Sequence, residues 1–208
     1  EKEVKSIVMD EELTKNSGKN QEIEAKFPVK DLRKIRELLE LRQAELLMDK
    51  SYEHNILLDT PNNELLAENA RLRLRKEGSE SILTYKRTRK NENNIAYREE
   101  IETRVDHFEN TRLILNRLGF LTFFEYEKYR STYRLEATAI MLDETPIGFY
   151  LEIEGPDEET IHRTASLLEI DWNQRTDKSY LQVFQEWAAE KGYTGRDMLF
   201  SSAPFLRG

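Results

Sequence analysis

The chain has no cysteine among its 208 residues, so disulfides and thiolate chemistry are excluded from both fold and function. Histidine is nearly as scarce. His54, His107 and His162 are scattered without metal-ligand spacing, and no role is assigned to them. No apolar run approaches the roughly 20 residues that a membrane-spanning helix needs. Residues 1–20 mix Lys, Glu, Asn and Ser and lack the apolar core of a secretory signal, so a flexible N-terminal arm and a cytoplasmic, membrane-free protein are expected. A positive balance is missing too. With a net charge of −8, the average field does not attract nucleic acid, and any anion site has to be built locally.

What the sequence has in abundance is charge of both signs, 35% of residues against about 25% in an average domain. The length suits one well-buried domain. Residues 21–191 are expected to form it, followed by a tail at 192–208. Leu199, Phe200 and Phe205 in that tail either pack on the domain or meet a second subunit, which leaves a homodimer open.

Residues Gln21 to Phe27 alternate strictly, Glu22, Glu24 and Lys26 on one face and Ile23, Ala25 and Phe27 on the other, the period of a strand. Further strands are expected at 50–59, 70–76, 81–89, 96–105, 121–135, 137–143 and 147–154. Helical spacing of Leu32, Ile35, Leu38, Leu39 and Leu46 predicts a helix over 30–47 with Asp31 in its first turn. Helices are also expected at 106–118, capped by Asp106 and ended by Gly119, at 157–168, and at 179–191 before Gly192. Turns are read at 60–63 and 144–146. Strands that follow one another directly favour antiparallel pairing, hence an α+β fold.

The charged positions fall at every second residue: Arg71, Arg73 and Arg75; Arg98, Glu100 and Glu102; Lys128 and Arg130; Glu152 and Glu154. Such faces ordinarily meet water. The alternative is that amphipathic helices cover the apolar faces while eight strands close into a barrel with charge lining its lumen. Carboxylates beside Lys and Arg then suit a hard divalent cation bound together with phosphates.

The opening Glu22-Ile23-Glu24-Ala25-Lys26 resembles the signature of the CYTH family, the triphosphate tunnel metalloenzymes. Later elements match in order: Leu72-Arg73-Leu74-Arg75, Leu83-Thr84-Tyr85-Lys86, Arg98-Glu99-Glu100-Ile101-Glu102, Glu127-Lys128-Tyr129-Arg130, Leu142-Asp143 with Pro146 and Gly148, Leu151-Glu152-Ile153-Glu154, and Lys178-Ser179-Tyr180. The resemblance implies an eight-stranded closed antiparallel barrel with helices packed outside. It implies magnesium or manganese held by Glu22, Glu24, Glu152 and Glu154 with help from Asp143. Triphosphate binding would fall to Lys26, Arg73, Arg75, Lys86, Arg98, Lys128, Arg130 and Lys178. Lys26 and Lys128 would act at the reacting phosphate, and Glu100 or Glu102 would orient water. Hydrolysis of a small triphosphate compound is the expected activity, with adenylyl cyclisation of ATP and catalytically silent polyphosphate or nucleotide binding as the other readings.

Arg71 lies one step outside the matched pair and is left open between tunnel and surface. Arg87 and Arg89 point away from Lys86 and are read as solvated. Phe120, Phe123, Phe124 and Tyr126 are read as core.

Overall fold

The computed structural model describes residues 21–89 and 94–202, so the expected arm at 1–20 and the last six residues of the tail lie outside the described residues. Eight strands close into one antiparallel barrel: β1 (Gln21–Val29), β2 (Glu45–Asp59), β3 (Ala70–Glu77), β4 (Glu80–Arg89), β5 (Ala96–Arg104), β6 (Leu121–Leu135), β7 (Thr138–Thr145) and β8 (Gly148–Glu154). Around the ring the order is β1-β5-β4-β3-β2-β6-β7-β8, which sets β1 opposite β2 and β8 opposite β3. Closure gives every strand an inside and an outside face.

Two apolar clusters coat the outside. Ala25 and Phe27 of β1, Ile140 and Leu142 of β7, and Leu151 and Ile153 of β8 pack under Ile35 and Leu39 of α1 (Arg33–Leu41) and under Ile161 and Ala165 of α4 (Glu158–Leu167). Ile56, Leu58 and Leu74 pack under Phe108 of α3 (Phe108–Arg117). Ala25 and Phe27 are residues that alternation assigned to the apolar face of β1, and burial of one face in oil and the other in a charged lumen follows from a period of two.

A third cluster differs in kind. Leu57, Phe124, Tyr126 and Tyr150 share the parity of the charged positions and face inward near one rim, where Tyr180, Leu181 and Phe184 of α5 (Tyr180–Lys191) pack on them. Ser179 and Gln182 form a reciprocal capping box that fixes where α5 starts, and Gly192 ends it at φ 64°. The aromatic residues Phe124 and Tyr126 are core, as expected.

Beyond Gly192 the chain returns to the barrel. The upper half of β6 has no β7 partner, and there Met198 accepts a backbone hydrogen bond from Glu127 (3.0 Å) and donates one to Glu125 (2.9 Å). Met198 is wholly buried. Phe200 follows with its ring 5.2 Å from that of Tyr129.

Several expected boundaries move. The first helix covers 33–41 rather than 30–47, because Gln43 takes a left-handed φ of 56° and β2 already runs from Glu45. Leu46 fits a helical period, but it lies in the strand. Asp31 precedes the helix and is paired with Arg33 rather than sitting in its first turn. At α3 the N-cap is His107, not Asp106, while Gly119 does follow the end, at φ 95°. Asp157, expected as the first residue of the helix at 157–168, is instead its N-cap, accepting from the Thr160 amide at 2.7 Å. The short α2 (Glu64–Ala67), whose amides at Leu65 and Leu66 are taken by the buried Asp59, and the 3-10 turn Trp172–Gln174 had no clear signal.

Candidate functional site

The alternation of β1 delivers Glu22, Glu24 and Lys26 to the lumen, and each meets an opposite charge. Glu24 pairs with Arg98 of β5, which also donates to the Asp177 carbonyl at 3.3 Å. Glu22 lies 2.9 Å from Lys86 of β4, whose ammonium is also 2.8 Å from Glu100 of β5. Lys26 is 3.3 Å from Glu152, donates to the Lys178 carbonyl at 2.9 Å and sits 4.2 Å above the ring of Tyr180.

Across the barrel, Lys128 of β6 reaches Asp143 of β7 at 3.0 Å, and Arg130 clasps both oxygens of Asp143 and also contacts Glu152. The phenol of Tyr180 donates to the same Asp143 at 2.5 Å. Arg73 and Arg75 of β3 are held more loosely. Their nearest carboxylates, Glu102 for Arg73 and Glu53, Glu77 and Glu102 for Arg75, stand 3.9–4.0 Å away. The Nε atoms of both are buried without a hydrogen-bond partner among the described residues. Thr84 links this corner, donating to Glu102 at 3.0 Å and standing 3.4 Å from Arg73.

The field inside is strong enough to overcome desolvation. Burial alone would lower the basicity of Lys86, Arg73 and Arg98, yet carboxylate neighbours hold Lys86 and Arg98 above their ordinary values, and Tyr126, then Glu100 and Glu53, do the same for Arg73. Burial would raise Glu152, but Arg130, Lys26 and Lys128 hold it well below the carboxylate range. Glu100 is likewise lowered, mainly by Lys86 against its burial. Glu154 goes the other way. Burial, then the negative charges of Glu22, Glu24 and Glu100, push it up to about 8.

The structure thus gathers Lys26, Arg73, Arg75, Lys86, Arg98, Glu100, Glu102, Lys128, Arg130, Glu22, Glu24, Asp143, Glu152 and Glu154 around one lumen. It does not bring in the side chain of Lys178, which is 44% exposed and pairs with Glu186 at 2.7 Å. That residue contributes its carbonyl instead. Arg71 is half-buried on the lumen face, its Nη1 bonded to its own strand's Ala70 carbonyl. Arg87 lies outside, 3.6 Å from Glu68, and the side chain of Arg89 is outside the described residues. His54 faces outward against Glu125 at 3.2 Å. Sequence reasoning missed Glu53, Asn55 and Tyr180. The first two share the inward parity of β2, a signal that was available, and Tyr180 stood inside a matched motif from which only the lysine was carried over.

Among the described residues no three acids converge as a ready-made metal site. The donor set nevertheless fits a hard cation. Glu22 and Glu24 on β1 and Glu154 on the adjacent β8 share the inward parity and offer the oxygen donors that such a cation takes.

A closed barrel whose lumen is lined by paired Lys, Arg, Asp and Glu is a charged tunnel. The chain belongs to the CYTH family: the profile described as the CYTH domain matches residues 20–184. A Methanocaldococcus jannaschii protein provisionally named an adenylate cyclase is 28% identical over 134 residues, 64% of this chain and 75% of that one. Among solved structures, a Pyrococcus horikoshii protein superposes with a TM-score of 0.68 at 24% identity, covering 77% of this chain and 98% of that one. A Hippeastrum protein, provisionally an adenylyl cyclase and described as having a dominant triphosphatase activity, gives a TM-score of 0.60 at 18% identity over 79% and 95% of the two chains. Among the described residues no helix is long and apolar enough to cross a membrane.

Proposed function

We propose that this chain hydrolyses a small triphosphate-containing compound inside the tunnel, in a divalent-metal-dependent reaction, the functional unit being residues 21–191. The observation that carries this reading is the opposition of two walls. Arg73 and Arg75 on β3 with Lys128 and Arg130 on β6 lie across the lumen from Glu22, Glu24 and Glu154 on β1 and β8. A triphosphate needs cations along its oxygens, and a metal bound beside it needs carboxylates.

Lys26, Arg73, Arg75, Lys86, Arg98, Lys128 and Arg130 would neutralise the phosphate oxygens. Arg73 and Arg75 are the readiest to do so, since no close ion pair has to be broken to free them. Glu22, Glu24 and Glu154, completed by Glu152 and Asp143, would hold magnesium or manganese, which supplies charge neutralisation when bound. With α5 packed at one rim, the other rim carries Glu102, which is 39% exposed on its side chain. Glu102, or Glu100 behind it, orients a water. Its oxygen bonds to the terminal phosphorus as the bridging P–O bond breaks, and its proton passes to the carboxylate. Lys26 and Lys128 stabilise the charge that develops on the departing oxygen.

The test is incubation of the protein with ATP, inorganic triphosphate and thiamine triphosphate, each with magnesium or manganese. Phosphate, pyrophosphate and cyclic AMP are resolved in one assay. Phosphate release abolished by chelator is the expected result. The second reading, adenylyl cyclisation, is favoured by the name of the Methanocaldococcus relative, and cyclic AMP with pyrophosphate would replace hydrolysis by it. Tight binding without any product would reduce the tunnel to a binding module.

A further inference from the structure

A carboxylate outside every matched motif lies at the centre of the cationic wall. Glu53 projects inward from β2, 0% exposed, between its register neighbours Lys128 on β6 and Glu77 on β3. Its oxygens stand 3.5 Å from Lys128 Nζ, 3.7 Å from Arg130 Nε and 3.9 Å from Arg75 Nη1. None of these is a hydrogen bond. Asn55 Nδ2 donates to Oε2 at 3.3 Å, and Oε1 is buried with no hydrogen-bond partner among the described residues.

Asp143, fifteen residues on from Lys128, is a carboxylate of the same wall whose oxygens are taken: it accepts close bonds from Arg130, Lys128 and Tyr180. Glu53 instead stands off three cations at once. At that range it attracts them without occupying their N–H donors, and the donors of Arg75 in particular stay available to an arriving anion. Its own negative charge, meanwhile, opposes that anion.

We propose that Glu53 is a positioning residue of the triphosphate site, aiming Lys128, Arg130 and Arg75 into the lumen while its charge keeps the bound polyanion from being held too tightly to turn over. The inference rests on reading the tunnel as a triphosphate site. It separates two effects that a purely structural residue would move together. Without the charge the anion binds more tightly, but to cations no longer fixed for the transition state.

Glu53→Gln keeps the shape and the Asn55 contact and removes the charge. Isothermal titration with inorganic triphosphate is expected to show binding tightened about fivefold, as loss of one like charge near a bound anion implies. Steady-state kinetics on the same substrate should show kcat falling about 30-fold while KM falls with the dissociation constant. Unchanged binding and kcat, or weaker binding with lower kcat, would overturn the inference. Should the Gln variant fail to fold, Glu53→Asp retains the charge one methylene further back. Binding near wild type with kcat reduced about tenfold is then expected, and wild-type kcat would overturn the inference. Wild-type protein that neither binds nor cleaves inorganic triphosphate would sink the tunnel reading and this one with it. Wild-type turnover beside an unaltered Gln variant would sink only the role of Glu53.

Discussion

The phenol of Tyr180, in the first turn of the last helix, donates a 2.5 Å hydrogen bond to Asp143 in the middle of β7. The same ring lies 4.2 Å from the Lys26 ammonium and 5.1 Å from that of Lys128. Burial, then Asp143 and Glu152, hold the phenol well above its ordinary pKa, so it remains a proton donor across the working range. One side chain from outside the barrel thereby fixes a carboxylate and two cations inside it. Tyr180→Phe keeps the ring and removes the donor. Asp143 retains Lys128 and Arg130, so a stability loss of about 1–2 kcal/mol is expected, read from urea denaturation of both proteins.

Lys26 and Glu152 are a buried pair 3.3 Å apart. Lys26→Ala and Glu152→Ala are each expected to lower phosphate release at least about 100-fold, the loss of roughly 3 kcal/mol of electrostatic stabilisation. Circular dichroism should show both folded. Near-normal turnover in both variants would refute the site assignment.

Glu53 predicts an acid limb of stability. Burial would raise its carboxyl from 4.5, but Lys128, Arg130, Arg75 and Arg73 together hold it at about 2. A folded-state value below the unfolded one means stability that is fully present above pH 4.5 and is lost as pH falls toward 2. The linkage is on the order of 3 kcal/mol. Glu53→Gln should therefore flatten the fall of stability between those pH values in denaturant titrations, and an unchanged slope would show that other carboxylates carry it.

Met198, buried against the half of β6 that has no β7 partner, predicts that the returning tail is part of the domain's stability. Met198→Ala should cost about 2–4 kcal/mol by the cavity it leaves. A change under about 0.5 kcal/mol, the range of a surface substitution, would show the tail to be dispensable.

Arg87 provides the contrasting case. It lies outside the barrel, half exposed beside Glu68, and Arg87→Ala is expected to leave phosphate release within about twofold of wild type, as for a surface charge far from the chemistry.

The barrel and most of its lining were legible because a strand writes its two faces into the sequence at a period of two. Glu22, Glu24 and Lys26 could be sorted from Ile23, Ala25 and Phe27 by eye. Where that code fails, the reasons are physical. Leu46 satisfies a helical period and a strand equally, so the first helix ran too far until the left-handed Gln43 stopped it. Lys178 sits in a matched motif but in no strand, so nothing in its spacing says which way its ammonium turns, and it turns outward to Glu186. Glu53 and Asn55 have the inward parity but lack the run of charges that drew attention elsewhere. That aromatic residues of α5 would fill one rim depends on long-range packing, which no local pattern records.

The parity of β1 has one more consequence. A slip of that strand by one residue against β5 and β8 would keep backbone pairing possible, yet it would turn Ile23, Ala25 and Phe27 into the lumen and drive Glu22, Glu24 and Lys26 beneath the apolar undersides of α1 and α4. Pairing alone is nearly indifferent to such a slip, whereas the oil on one side and the ions on the other forbid it. The charges lining the tunnel therefore also act as an alignment key for the fold, and a chain that closes its barrel in any other frame has no charged tunnel at all.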